Sequence, residues 1–129
     1  MKPNKNEESV DYDQLEKWLK TYFLDPLTSY FDHTQFRIDL YETDKEWIVE
    51  AILNEYESSK ITVFIEEKRL IITALEHSSP KKQKRVRSID FPFQINKQNV
   101  TALFTNGILE VLISKTEKGL GKNRFITLP

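Results

Sequence analysis

The fourteen residues A-L-F-T-N-G-I-L-E-V-L-I-S-K (102–115) decide how this chain folds. Two runs in which apolar residues alternate, Val100–Phe104 and Ile108–Ser114, are separated by T-N-G at 105–107. Asparagine and glycine both tolerate positive φ, so Asn-Gly between two apolar runs is the strongest short-range hairpin signal a sequence offers. The same period of two recurs upstream. Phe36, Ile38 and Leu40 alternate with Arg37, Asp39 and Tyr41; Trp47, Val49 and Ala51 alternate less cleanly; Ile61, Val63 and Ile65 alternate with Thr62, Phe64 and Glu66. A tight turn separates that run from Leu70–Ala74, and Val86–Phe91 follows a polar stretch containing Pro80. Short strands with turns every eight to twelve residues, and no helical span between them, predict an all-β antiparallel sandwich over residues 34–116.

The ends of the chain follow other rules. Residues 1–10 have no periodicity. From Asp11 the spacing becomes helical: Leu15, Trp18, Leu19, Tyr22 and Phe23 recur at intervals of three and four and fall on one stripe. Asp11 is a candidate N-cap with Gln14 three positions on, and Asp25-Pro26 is expected to stop the segment. Such a helix, roughly three turns long, is marginal alone and must lie on something apolar. This assigns residues 1–33 to an N-terminal arm. At the other end, 117–129 is read as a flexible tail: a polar tether with Gly119 and Gly121, then F-I-T-L-P as a detached apolar plug. In an extended segment residues i and i+2 face the same way, so Ile126 and Leu128 form two knobs for two holes.

Composition narrows the function. The 129 residues are 39% apolar and 30% charged, as in an ordinary single globular domain, and no apolar run approaches the ~20 residues of a bilayer crossing. The first residues lack the hydrophobic centre of a secretory signal, so a cytoplasmic location is expected. The absence of cysteine removes disulfides, a thiolate nucleophile and cysteine-ligated zinc. A net charge of −1 favours neither nucleic acid nor an acidic membrane. Locally, K-K-Q-K-R-V-R (81–87) holds five positive charges, but no aromatic residues interleave as stacking platforms. We read it as a solvated loop entering a strand, with Arg87 the member expected to be buried against a carboxylate.

Catalytic chemistry finds little support. His33 and His77 sit in no metal-binding spacing and read as solvent-facing loop residues. Glu66 and Glu67 are adjacent at a turn and cannot face one cleft as a paired-carboxylate site. Gly119-Leu120-Gly121 opens no helix that could hold a phosphate, and Asn99-Val100-Thr101 matches a glycosylation acceptor by chance. No enzyme, cofactor or metal site is expected.

Several segments together resemble a known family. The stretch 102–115, with Asn106-Gly107, resembles the A-x-x-x-N-G-V-L signature of the α-crystallin domain of small heat-shock proteins. R-V-R-S-I-D-F-P (85–92) is similar to the strand before it, with Arg87 at the position of the family's arginine and Arg85 beside it. F-R-I-D-L-Y-E-T-D-K-E-W-I-V-E-A (36–51) looks like the opening strand pair, K-R-L-I-I-T-A (68–74) like the N-x-L-x-I-x-G segment, and I-T-L (126–128) like the C-terminal I-x-I/V motif. There are departures. L-N-E (53–55) stands where the family often has L-P-G, and Ser114-Lys115 stands for its P-K. Only about ten residues separate Ala74 from Arg85, too few for the extra strand that bacterial members exchange between partners.

The resemblance implies an immunoglobulin-like sandwich and an ATP-independent holdase that binds unfolding client proteins. It also implies a dimer-based homo-oligomer, in which Ile126 and Leu128 of one subunit fill a groove on another. Strands near Ile61, Val63 and Ile65 and near Val100, Ala102 and Phe104 would form that groove. With the loop so short, dimerisation would use another edge, such as antiparallel pairing of the Arg85–Phe91 strands, or be weak. The arm stripe would serve clients or assembly, or else cap its own sandwich. Two other uses of the same fold stay open: a structural subunit of a spore coat or similar shell, and a monomeric adaptor of the co-chaperone type.

Overall fold

A computed structural model describes residues 12–76 and 84–129, and within the first helix the side chains of 12–16 and 23 fall outside the described set. The expected cap at Asp11, the side chains of Leu15 and Phe23, His77, Lys81 and Lys82 therefore lie outside the described residues. Two helices open the chain, α1 (Tyr12–Leu24) and α2 (Pro26–Thr34). The second was not expected from the sequence. Asp25-Pro26 ends one helix and begins the next: Asp25 Oδ1 accepts from the Leu27 N–H at 2.9 Å, and Pro26 occupies the first turn, where its missing N–H costs nothing. His33 consequently lies on α2 rather than in a loop, and it is exposed.

Eight strands follow: β1 (Ile38–Glu42), β2 (Glu46–Ile52), β3 (Ile61–Glu66), β4 (Arg69–Leu75), β5 (Lys84–Asp90), β6 (Gln98–Thr105), β7 (Ile108–Lys118) and β8 (Arg124–Ile126). They form two four-stranded sheets, ordered β1-β2-β7-β6 and β5-β4-β3-β8, with every described pairing antiparallel. This is the sandwich that the alternation predicts. The residues of one parity form its core: Val49, Ala51, Val63, Ile65, Leu70, Ile72, Leu109, Val111 and Ile113 have no exposed surface.

The decisive hairpin folds as read. Asn106 and Gly107 take φ of 53° and 79°, as a two-residue turn of this kind requires, and Thr105 pairs with Ile108. Gly107 has a second constraint, because its carbonyl accepts from the Leu53 N–H at 2.7 Å. A Cβ there would stand 2.8 Å from Asn54 Cα, so the turn needs glycine for space as well as for φ.

Candidate assembly groove

A two-layer sandwich has two open sides, and on each the core would meet water unless something covers it. On one side β5 ends its sheet above β1. Here Arg87, only 4% exposed, reaches inward. Its Nη1 donates to Asp32 Oδ1 at 2.6 Å and to the Phe36 carbonyl at 2.7 Å, and its Nη2 donates to the Tyr22 hydroxyl at 3.1 Å. The guanidinium also lies 5.7 Å from the centroid of the Phe31 ring. One cation thus ties α1, α2 and the entry to β1 onto β5. The carboxylate expected for Arg87 is Asp32, which the sequence did not single out because its helix was missed. Burial raises the Tyr22 phenol above its ordinary value, with the nearby Arg87 charge opposing.

The helices are therefore docked. Trp18, Leu19 and Tyr22 pack against the core, and Trp18 stacks 4.8 Å from Phe91. They cover the side of their own sandwich here. The same docking reaches the β5 edge expected to pair with a second copy. Gln35 Oε1 accepts from the Val86 N–H at 3.0 Å, and Arg85 Nη1 donates to the Thr34 carbonyl at 2.5 Å. One backbone donor of that edge is thereby already used within the chain.

The opposite side lies between β3 and β6. Ile61, Val63 and Ile65 line its floor at 5%, 0% and 0% exposure, Val100 and Ala102 are buried, and Phe104 is half-buried. These are the six residues named for the groove. They form no open groove, however, because the chain's own C-terminus fills it. β8 pairs antiparallel with β3, with Ile126 opposite Val63, Phe125 opposite Phe64 and Arg124 opposite Ile65. Ile126 and Leu128 are half-buried against the core, while Phe125 points outward at 67% exposure and stacks 4.7 Å from Phe64. The i and i+2 knobs face one way, as extended backbone dictates. The expectation of a detached plug on a loose tether is corrected: in the single chain the tail doubles back onto its own sandwich.

The reason lies in polar residues that periodicity cannot flag. The Gly119 N–H donates to the Lys97 carbonyl at 2.9 Å, and a Cβ on Gly119 would lie 2.2 Å from the Gln98 carbonyl oxygen. Gly121, at φ 72°, lets the chain reverse. Asn123 Oδ1 then accepts from the Glu67 N–H at 2.7 Å and from Asn96 Nδ2 at 3.1 Å. Arg124 donates to the carbonyls of Asn96, Lys122 and Gln98, each at 2.9 Å. These bonds set the register in which the two aliphatic knobs arrive. Glycines of a presumed tether were the one visible hint.

Among the described residues no group of three or more His, Asp or Glu side chains could hold a metal ion. Among the same residues no helix is long and apolar enough to cross a membrane. What the site offers is a hydrophobic slot filled by a three-residue strand.

Comparison with known proteins agrees. Residues 39–128 match the model of the Hsp20/alpha crystallin family, and the chain belongs to that family. It is similar to Spore coat protein M of Bacillus subtilis (strain 168), 32% identical over 120 residues that cover 92% of this chain and 88% of that protein. Among solved structures it is similar to the Del-C4 mutant of hsp14.1 from Sulfolobus solfataricus P2, with a TM-score of 0.53 and 25% identity, covering 78% of this chain and 95% of that one. It is also similar to heat shock protein 16.0 from Schizosaccharomyces pombe, with a TM-score of 0.52 and 23% identity, covering 67% and 92%. The fold is that of small heat-shock proteins.

Proposed function

We propose that this chain is a self-assembling structural subunit of a spore coat, built by exchange of C-terminal tails between α-crystallin sandwiches. The observation that carries this reading is the likeness to Spore coat protein M, which takes in most of the chain rather than the sandwich alone. The geometry supplies a means. A plug held by three strand pairs and two half-buried aliphatics can leave its own groove and enter a neighbour's without disturbing the core. Each buried side chain is worth at most ~1.5–3 kcal/mol before the cost of ordering the tail is subtracted, so single links are weak and many together hold by avidity. Only eight residues, 76–83, connect β4 to β5, a short span for a strand exchanged between partners.

The test is to tag the protein in a spore-forming host and fractionate its spores. Recovery in the coat layer, lost when Ile126 and Leu128 are both changed to alanine, is the expected result. Protein that stays in the soluble fraction of sporulating cells defeats the proposal.

A second reading is an ATP-independent holdase that works in the cytoplasm on unfolding proteins. The docked tail favours it in one respect, because its departure would bare an apolar slot able to take a client segment. Suppression of the thermal aggregation of a model client at equimolar ratio, measured by light scattering, would select this reading. Large self-assemblies that leave scattering unchanged would select the coat subunit.

A further inference from the structure

Besides its inner face, each sheet has an outer face turned away from the core, and the two outer faces differ in charge. On the β1-β2-β7-β6 sheet, Glu50 lies directly opposite Glu110, with Asp39 beside Glu50 on β1 and Leu103 beside Glu110 on β6. Carboxylates directly opposite on one face repel each other. Arg37 pairs with Asp39 at 3.2 Å, but neither Glu50 nor Glu110 has an ion-pair partner among the described residues. The Glu50 charge also raises the Tyr41 phenol above its ordinary value. Apolar side chains flank this row on both sides, with Tyr41 and Leu103 each 48% exposed and Ile108 37% exposed.

The outer face of the β5-β4-β3-β8 sheet has the opposite character. Phe64, Ile71, Leu75 and Phe125 line an open groove of about 590 Å³, with Lys60 and Lys84 at its rim. These lysines, too, lack an ion-pair partner among the described residues. Phe125 is 67% exposed there. One molecule therefore presents an acidic, apolar-flanked face and, on its far side, an apolar groove rimmed by lysine.

We propose that the acidic outer face of one molecule docks on the lysine-rimmed outer face of the next copy of this chain, head to tail. The partner is fixed by complementarity of charge and of shape, since both faces are four-stranded sheets of the same width. Because the two faces are different surfaces, the contact is heterologous: it does not close on itself as a two-fold dimer does, and it repeats into a row. Four strands about 4.8 Å apart and seven residues of about 3.3 Å give roughly 400 Å² per face, half the ~800 Å² of a standard interface. Each stack is then reversible, and rows hold through cross-links from the exchanged tails. This deepens the self-assembly reading and shares Phe125 of β8 with it, but uses the outer face of the sheet rather than the slot that Ile126 and Leu128 fill.

The experiment uses two charge-reversed variants of the full chain, Glu50→Lys with Glu110→Lys, and Lys60→Glu with Lys84→Glu. All four positions lie off the core, and circular dichroism checks the fold. Analytical ultracentrifugation is expected to show the weight-average mass fall at least twofold for each variant alone. An equimolar mixture should recover it, because alternating copies restore one original contact and create one reversed contact. Masses equal to the parent's overturn the stacking, as does a loss that mixing leaves unrepaired. A parent chain that is monomeric at every concentration sinks the self-assembly reading as well. If Ile126→Ala with Leu128→Ala abolishes assembly while the charge variants leave it intact, only the stacking fails.

Discussion

The two open sides of this sandwich are closed by contrasting means. Beside β5, a buried cation bonded to Asp32, the Phe36 carbonyl and Tyr22 locks two helices in place. Beside β3, three residues of strand and two aliphatic side chains lie in a slot, positioned by Asn123 and Arg124. Removing one member of the first closure leaves a charge or a carbonyl buried without its partner, which is strongly unfavourable. Withdrawing the second exposes chiefly apolar surface, and another apolar segment can replace it at little net cost. One side is therefore suited to permanence and the other to exchange.

This contrast can be broken at its strong end first. Arg87→Ala should destabilise the fold by about 2–3 kcal/mol, because the Phe36 carbonyl loses a buried donor while Asp32, partly exposed, keeps the Ile38 N–H. A fall in Tm of roughly 10 °C is the expected reading in a thermal melt. Ile126→Ala with Leu128→Ala should have a smaller effect on the melt, about 2 kcal/mol given their partial burial, while reducing the oligomer mass several-fold. An unchanged mass would mean that tails do not link subunits. Arg124→Ala removes three donors to carbonyls and should cost about 1–3 kcal/mol, felt locally. Amide hydrogen exchange is expected to speed up over 119–128 while the β2 and β7 amides stay protected. The smallest effect belongs to Tyr22. Its phenol is raised in the folded state, so its contribution is present below the ordinary tyrosine value of about 10 and is lost as pH rises through the folded value. Tyr22→Phe should flatten that alkaline decline in a pH series of melts.

A cross-link sharpens the comparison further. The chain has no cysteine, and Val63 and Ile126 are paired across β3 and β8. Directly opposed Cα atoms are about 4.5–5.5 Å apart, within disulfide reach. Val63→Cys with Ile126→Cys, oxidised at low concentration, should give a cross-linked monomer on a non-reducing gel. Oxidised when concentrated, it should give a ladder of covalent multimers.

How much of this the sequence disclosed depends on the range of the forces involved. Alternation in β1 to β7 reports burial on one face, a local property, and the Asn106-Gly107 turn reports backbone conformation, also local; both could be read directly. Arg87 shares the inward parity of Ile89 in β5, so its burial follows the same local alternation. Asp25-Pro26 is ambiguous in sequence because proline disrupts a helix from within yet suits its first turn, and here it both ends α1 and opens α2. The docked tail was invisible for a different reason. Asn123 and Arg124 bond to backbone groups of Glu67, Asn96 and Gln98, distant in the chain, and such contacts have no period and no composition. Polar residues between glycines look the same whether they are solvated or satisfied by a remote carbonyl.

The hairpin that returns the tail to β3 carries a further consequence. A plug tethered a few residues from its own socket acts as a resident competitor at an effective concentration on the order of millimolar. Under the proposed tail exchange, dilute chains would remain self-sealed, and intermolecular linkage would begin only where copies are gathered to comparable density, as on a surface that recruits them. Growth by the proposed exchange would then be confined to such a place by concentration alone.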